Sequence, residues 1–313
     1  MESILTFRQL AALWKADKQH YVKRSTFSVY SLHLETHLIP SFGDLTDISE
    51  LQVQQFVNQS LANGLKQKTI KDILIVLNMV LRFGEKYYSW THYPMDIHFP
   101  TSCIGRDLPV LSIEEQDRLM LYLERHFTFQ NLGIALCLST GMRIGEICAL
   151  TWEDIDLAEG VVRVCKTLQR ISLEGGHTQL IVDSPKTSHS FREIPLHASL
   201  VKALKPLVRK TRPQYYVLTN KSKPSEPSTF RTYYKRLMQE LHLPPIRFHG
   251  LRHSFATRCI AFQCDYKTVS ALLGHASINT TLNLYVHPNL DQKRKCLNMV
   301  FRHRESFSGY DAP

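Results

Sequence analysis

Between Tyr93 and Val110 the chain carries Pro94, Pro100, Gly105 and Pro109. Each proline lacks an amide hydrogen and holds φ near about −65°, so neither a helix nor a central strand runs through such a segment. It reads as an interdomain linker. A length of 313 residues, beyond the usual size of one hydrophobic core, agrees with two domains.

Upstream of the linker, apolar residues recur at helical spacing. Leu5, Phe7, Leu10, Leu13 and Trp14 begin one helix, and Phe27, Tyr30, Leu34 and Leu38 mark a second that stops near Pro40 and Gly43. A third runs from about Ser49 to Ala62 and ends at Gly64, a residue suited to a helix C-terminus. The fourth covers Thr69 to about Tyr88, with Ile73, Val76, Leu77, Val80 and Leu81 on its buried face. Downstream, Ser112-Ile113-Glu114-Glu115 supplies a capping box that opens a helix to about Arg125. Another spans about Phe127 to Ser139 and breaks at Thr140-Gly141.

The texture then changes to strands over Val161 to Val164, Leu168 to Ile171, Leu180 to Val182 and Arg192 to Ile194, with Gly175-Gly176 in a turn. Helices return from about Leu200. The expected fold is therefore mainly α with a small antiparallel β-sheet. A helical domain covers residues 1–93, the linker 94–110, a mixed α/β domain 111–302 and a C-terminal tail 303–313.

The net charge of +10 and a pI near 9.2 point to an acidic partner, of which nucleic acid is the usual one. The excess is uneven: residues 1–105 hold 10 Lys+Arg against 9 Asp+Glu, which leaves 28 of the 38 basic and 19 of the 28 acidic residues for the remainder. No signal peptide or spanning helix is expected, since Met1-Glu2-Ser3 lacks a basic start and the longest apolar stretch is Leu132 to Leu138. A soluble cytoplasmic protein, without membrane attachment, follows from that pattern. The seven cysteines are scattered and lack a C-x-x-C pair, so they read as reduced and structural.

The chemistry concentrates in HGLRHSFATRCIAFQCDYKTVSALLGHASINTTLNLYVH, from His249 to His287. A guanidinium clamps two phosphate oxygens through its planar fork, which suits Arg252 to a scissile phosphate. Imidazoles such as His249 and His275 move protons near neutral pH. The phenol of Tyr285, once activated, can attack phosphorus and keep the bond energy in a covalent phosphotyrosine. Singly, each has a bland reading: Arg252 as an ion-paired helix residue, Tyr285 as a core aromatic, and His249 with His253 as two rings on one helix face.

Two further blocks add to it. In TGMRIGEICALTWEDID, Arg143 precedes Glu146 by three residues, a spacing that places both on one helix face, where the carboxylate orients the guanidinium. Two arginines neutralise a five-coordinate phosphate better than one. In SPKTSHSFREIPL, Lys186 falls at a hairpin turn, where a lysine facing phosphates can protonate a departing 5′-oxygen.

Together these blocks resemble the tyrosine recombinases of the phage integrase family. The resemblance is carried in family order by T-G-M-R-I-G-E, P-K-T-S, H-G-L-R-H-S-F-A-T, L-L-G-H-A-S and T-L-N-L-Y-V-H, and TFSVYSLHLETHLIPSFGDLTDIS resembles the opening of the family's helical, SAM-like core-binding domain. It implies that Arg143 and Arg252 clamp the phosphate and that Tyr285 is the nucleophile forming a 3′-phosphotyrosine. Lys186 matches the general acid, His249 the residue of proton transfer with the nucleophile, His275 the support of phosphate and leaving group, and Glu146 the acidic brace. Val286 departs from the family, where threonine often follows the tyrosine.

It also implies a two-domain clamp on double-stranded DNA, a monomer free in solution and a homo-tetramer on its sites, with no metal or cofactor, in a bacterial, nucleoid-associated setting. The apolar residues Leu290, Leu297, Val300 and Phe301 suit a helix that docks on a neighbour or packs back on its own domain. The competing readings are a metal-dependent phosphodiesterase on His249, His253 and His275 with Asp265, a type IB topoisomerase-like strand relaxer, and a DNA-binding protein of the same fold without catalysis.

Overall fold

The computed structural model describes residues 5–101, 109–184 and 191–285, with residues 290, 294, 297 and 298. It divides into two compact units, Met1–Arg106 with Arg170–Ile181, and Asp107–Gln169 with Val182–Pro313.

In the first unit, α1 (Phe7–Lys18), α2 (Arg24–His33), α3 (Ile39–Phe42), α4 (Glu50–Ala62) and α5 (Gln67–Tyr88) form a helical bundle. Its core is the apolar stripe of α5, including Ile73, Val76, Leu77, Val80 and Leu81, closed by Phe7, Leu10, Trp14, Leu34, Leu38 and Trp90. Ser49 caps α4 through a reciprocal box with Gln52. The second sequence-predicted helix does not simply stop at Pro40. A π-helical turn over Leu34–Leu38 lets the chain continue into α3, with Pro40 in its first turn, where a missing amide hydrogen costs little. Met95, Ile97 and Phe99, within the proline-rich segment, pack against this core.

The second unit begins with α6 (Ile113–Arg125), capped by the Ser112–Glu115 box that the sequence announced. α7 (Phe129–Thr140) follows, buried over most of its surface, and then α8 (Ile144–Ala149). The strands are β1 (Ile155–Asp156), β2 (Val161–Val164), β3 (Thr167–Ser172), β4 (Thr178–Asp183) and β5 (Arg192–Pro195). They form two sheets instead of the single one expected: an antiparallel β1-β2-β5 sheet and the separate pair β3-β4. Residues 170–181 of that pair group with the bundle, where the Ser28 hydroxyl donates to the Ser172 carbonyl at 2.7 Å.

This topology corrects the local reading of Lys186, since the strands on either side of it, β4 and β5, lie in different sheets and do not form one hairpin. Lys186 itself is outside the described residues. Five more helices follow among the described residues: α9 (Ala198–Val208), α10 (Pro227–Glu240), α11 (Phe248–Ala261), α12 (Tyr266–Leu273) and α13 (Ile278–Tyr285), the last of which carries Tyr285. Among the described residues, no helix is long and apolar enough to cross a membrane.

Candidate active site

The site is organised by the ends of helices. Gly141 caps α7 with φ +67°, and a Cβ there would stand 2.6 Å from Phe255 Cδ1, so glycine meets both demands. Gly274 caps α12 in the same left-handed conformation, φ +63°. Carbonyls at a helix C-terminus lack intrahelical partners and carry the negative end of the helix dipole, so they attract cations.

Three arginines use them. Arg252, on α11 and 1% exposed, donates to the Gly141 and Leu273 carbonyls, each at 2.7 Å. Arg143 donates to the Gly274 carbonyl at 3.1 Å, and Arg192 Nε to the Leu272 carbonyl at 2.7 Å. Three successive carbonyls of the L-L-G block thus each receive a different guanidinium.

Glu146 ties two of them together. Its carboxylate is bonded by Arg143 Nη1 at 2.8 Å and by both terminal nitrogens of Arg192, at 3.1 and 2.9 Å. The Arg143–Glu146 pairing expected from sequence is present, but through different geometry. Arg143 is the extended N-cap of α8 and Glu146 its third residue, so the carboxylate also accepts from the Arg143 amide at 2.8 Å. Burial works to raise the Glu146 pKa, yet hydrogen bonding and charge from Arg192, with Arg143, outweigh it and hold the carboxyl below its ordinary value. Among the described residues, Arg143, Arg192 and Arg252 gather around the Glu146 carboxylate, bonded by the first two, in a cationic cluster suited to an anion.

The other candidates converge on the same place. His249 and His253 stand one turn apart on α11, their rings edge to face with centroids 4.7 Å apart. Tyr285, at the end of the described part of α13, packs against Phe255, Ala256, Val269 and Leu273. Its hydroxyl lies 2.5 Å from His253 Nδ1, and the two rings are 5.5 Å apart. Burial pushes the phenol pKa up, with Arg252 and Arg143 pulling against it.

Burial first, and then the neighbouring cations, lower all three imidazoles: His249 in direction, His253 and His275 to about 4. Burial and Arg143 also disfavour the Arg252 charge. His275 Nδ1 and the hydroxyl of the fully buried Thr281 are 2.8 Å apart, which fixes the ring.

The structure thus brings Arg143, Glu146, His249, Arg252, His275 and Tyr285 into one site, while Lys186 lies outside the described residues. Sequence reasoning missed Arg192, His253 as a partner of the phenol, and Thr281. Arg192 stands in the F-R-E-I-P-L run and Thr281 in N-T-T-L-N-L-Y, inside blocks already singled out. Asp265, the carboxylate a metal site would need near these histidines, instead caps α12 by accepting from the Lys267 and Thr268 amides. Among the described residues, no group of three or more His, Cys, Asp or Glu side chains is placed to hold a metal.

A cationic cluster with a partly buried phenol on a two-part, mainly helical chain defines a class, and sequence comparison supplies it. Residues 109–292 match the phage integrase family and residues 6–61 its N-terminal SAM-like domain, so the chain belongs to the phage integrase family of tyrosine recombinases.

Among individual proteins, it is 27% identical to a "Tyrosine recombinase XerC-like" protein of Caldanaerobacter subterraneus, over 89% of this chain and 78% of that one. It is 24% identical to the ICEBs1 integrase of Bacillus subtilis, over 86% and 74%. The fold resembles that of the Tn1549 transposon integrase in complex with a circular intermediate DNA, with TM-score 0.76, 20% identity, and coverage of 95% of this chain and 99% of that one. A lambda integrase tetramer bound to a Holliday junction gives TM-score 0.65 at 18% identity, over 92% and 80%.

Proposed function

We propose that the chain is a site-specific DNA recombinase that acts on double-stranded DNA through a 3′-phosphotyrosine. In this reading the phosphate lies between Arg143 and Arg252, and Tyr285 attacks phosphorus in line with the departing 5′-oxygen. His275, its ring fixed by Thr281, donates a hydrogen bond to the phosphate or leaving group. Lys186 protonates the 5′-oxygen, and His249 supports proton transfer at the nucleophile from its place against the His253 ring. Glu146 orients Arg143. Reversal of the same step with a second 5′-hydroxyl rejoins strands without loss of bond energy.

The observation that carries this reading is the placement of one phenol hydroxyl within the electrostatic reach of Arg143 and Arg252, in a cluster of three guanidiniums and one carboxylate. Such preorganised cations stabilise charge that develops on a phosphoryl oxygen and need no rearrangement at the moment of reaction. We further propose that four copies act together on two DNA sites. Leu290 and Leu297 expose apolar side chains, and the second unit carries a cleft of about 700 Å³ lined by Met120, Leu123, Phe127, Leu200 and Phe262.

The test is a covalent adduct. Protein incubated with DNA from the ends of the segment that encodes it should yield a species that survives denaturation and maps to one phosphate on each strand. Tyr285→Phe should abolish that species and leave DNA binding nearly unchanged, because affinity rests on many phosphate contacts and one hydroxyl is removed. Adduct formation by Tyr285→Phe at the wild-type level would overturn the assignment.

A further inference from the structure

We infer that His253 is the group that accepts the Tyr285 proton when the phenol attacks phosphorus, an inference that rests on the recombinase reading above. Among the described residues it is His253, not His249, whose ring nitrogen meets the phenol oxygen, at 2.5 Å. The contact is set by two packed elements. His253 follows Arg252 directly on α11 and is 9% exposed, while Tyr285 is held by the Phe255–Leu273 cluster. His249 lies against the edge of His253 and helps fix that ring.

A neutral imidazole has one nitrogen with a free lone pair, and the proton on the other is what leaves it free. Among the described residues, the charged and titratable groups facing His253 are His249 and Arg252 on its own helix, Tyr285 on α13 and His275 between α12 and α13. In the free protein, burial first, then the neighbouring His249 ring and the Arg252 guanidinium, hold His253 neutral, with a pKa of about 4. The lone pair is then available to the phenol at neutral pH. A phosphate seated between Arg143 and Arg252 brings negative charge that offsets those cations, so the imidazole becomes more basic where the proton must be taken.

The step balances. The Tyr285 O–H bond breaks and its proton joins the Nδ1 lone pair. The phenol oxygen pair forms the new O–P bond, and the 5′-oxygen leaves with the electrons of the broken P–O bond and takes its own proton from Lys186. In the reverse step, His253 returns its proton to the departing phenol.

The test separates proton transfer from orientation. His253→Asn keeps an acceptor oxygen near the Nδ1 position but cannot take a proton, and His253→Ala removes both. Single-turnover adduct formation on the mapped site should fall about 100-fold or more at pH 7 in both variants. Site binding should stay at the wild-type level. Their rates should climb about tenfold per pH unit toward the pKa of the phenol, because solvent must then ionise it, whereas the wild-type profile should be flat over that range.

A His253→Asn variant that cleaves at the wild-type rate overturns the inference, as does the rising pH profile appearing in His249→Ala instead. Both results leave the recombinase reading standing, because wild-type protein still forms the adduct; a wild-type protein that forms none defeats both. If the variants melt early, the ¹⁵N shifts of wild-type His253 decide. A bare Nδ1 with a protonated Nε2 supports the inference, and a protonated Nδ1 that donates to the phenol overturns it.

Discussion

Arg192 and Glu146 meet fork to fork, nitrogen to oxygen at 3.1 and 2.9 Å, with side chains 6% and 3% exposed. The pair joins elements distant in sequence. Arg192 opens β5, where it sits opposite Val164 of β2, and its Nε also reaches the last turn of α12. One side chain therefore links the sheet, α8 and α12 at the point where Arg143 is aimed.

Arg192→Ala leaves Glu146 buried with Arg143 as its one remaining guanidinium partner among the described residues. Breaking a buried pair from one side costs about 3–5 kcal/mol, and the surviving Arg143 bond favours the lower end of that range. We expect urea unfolding to report a loss of about 3 kcal/mol. DNA cleavage should fall further than stability alone accounts for, because Glu146, which orients Arg143, loses the Arg192 fork that holds its carboxylate in place. Unchanged stability would show that the pair does not hold these elements together.

Acid should destabilise the protein in two stages. An unfolded imidazole begins to bind its proton near its ordinary pKa of 6.5, whereas His253 and His275 in the folded protein resist until about 4. Stability is then complete above about pH 6.5 and declines as the pH falls toward 4. Glu146, held below its ordinary 4.5, adds stability that is present above about pH 4.5 and lost as the pH falls through its lowered value. Thermal midpoints measured across this range should lose part of the upper slope in His275→Asn and part of the lower slope in Glu146→Gln. A midpoint that is flat from pH 7 to 4 would contradict the burial of the neutral imidazoles.

The fold was legible wherever the pattern was local. A capping box named the start of α6, and the 3.6-residue stripe of α5 named its buried face, since both signals lie within a few turns of chain. The pairing of β2 with β5 was not legible, because those strands are separated by the β3–β4 pair and their register depends on contacts distant in sequence. The site divides in the same way. Arg143, Arg252 and Tyr285 stood out by motif and chemistry, whereas Arg192 acts through Glu146 and through a carbonyl of Leu272, and nothing in F-R-E-I-P-L signals either partner. His253 was legible as a histidine one turn from His249; its meeting with Tyr285 depends on how α13 packs on α11.

Gly141 links a backbone conformation to the site. Its φ of +67° disfavours any side chain, and a Cβ would press on Phe255 Cδ1 at 2.6 Å. Gly141→Ala should cost about 1–3 kcal/mol from the strained backbone alone, with the overlap adding to it. Because the Gly141 carbonyl accepts from Arg252 at 2.7 Å, a shift there moves the guanidinium. Adduct formation should drop at temperatures where circular dichroism shows the variant still folded. Full activity in a folded Gly141→Ala protein would mean that Arg252 does not need this carbonyl for its aim.

Lys186 calls for a chemical test, since neither motif nor spacing fixes where its ammonium points. If it protonates the 5′-oxygen as that group leaves, a 5′-phosphorothiolate at the scissile position should largely rescue Lys186→Ala, because sulfur leaves well without an acid. The same substrate should rescue Arg252→Ala much less, since the charge on phosphorus still has to be stabilised by a guanidinium that is buried and fixed by two carbonyls. Adduct yields for both variants on both substrates provide the comparison. Equal rescue, or none for Lys186→Ala, would reduce that lysine to a contact with the DNA backbone and leave the acid to be sought elsewhere in the site, with His275 the first candidate.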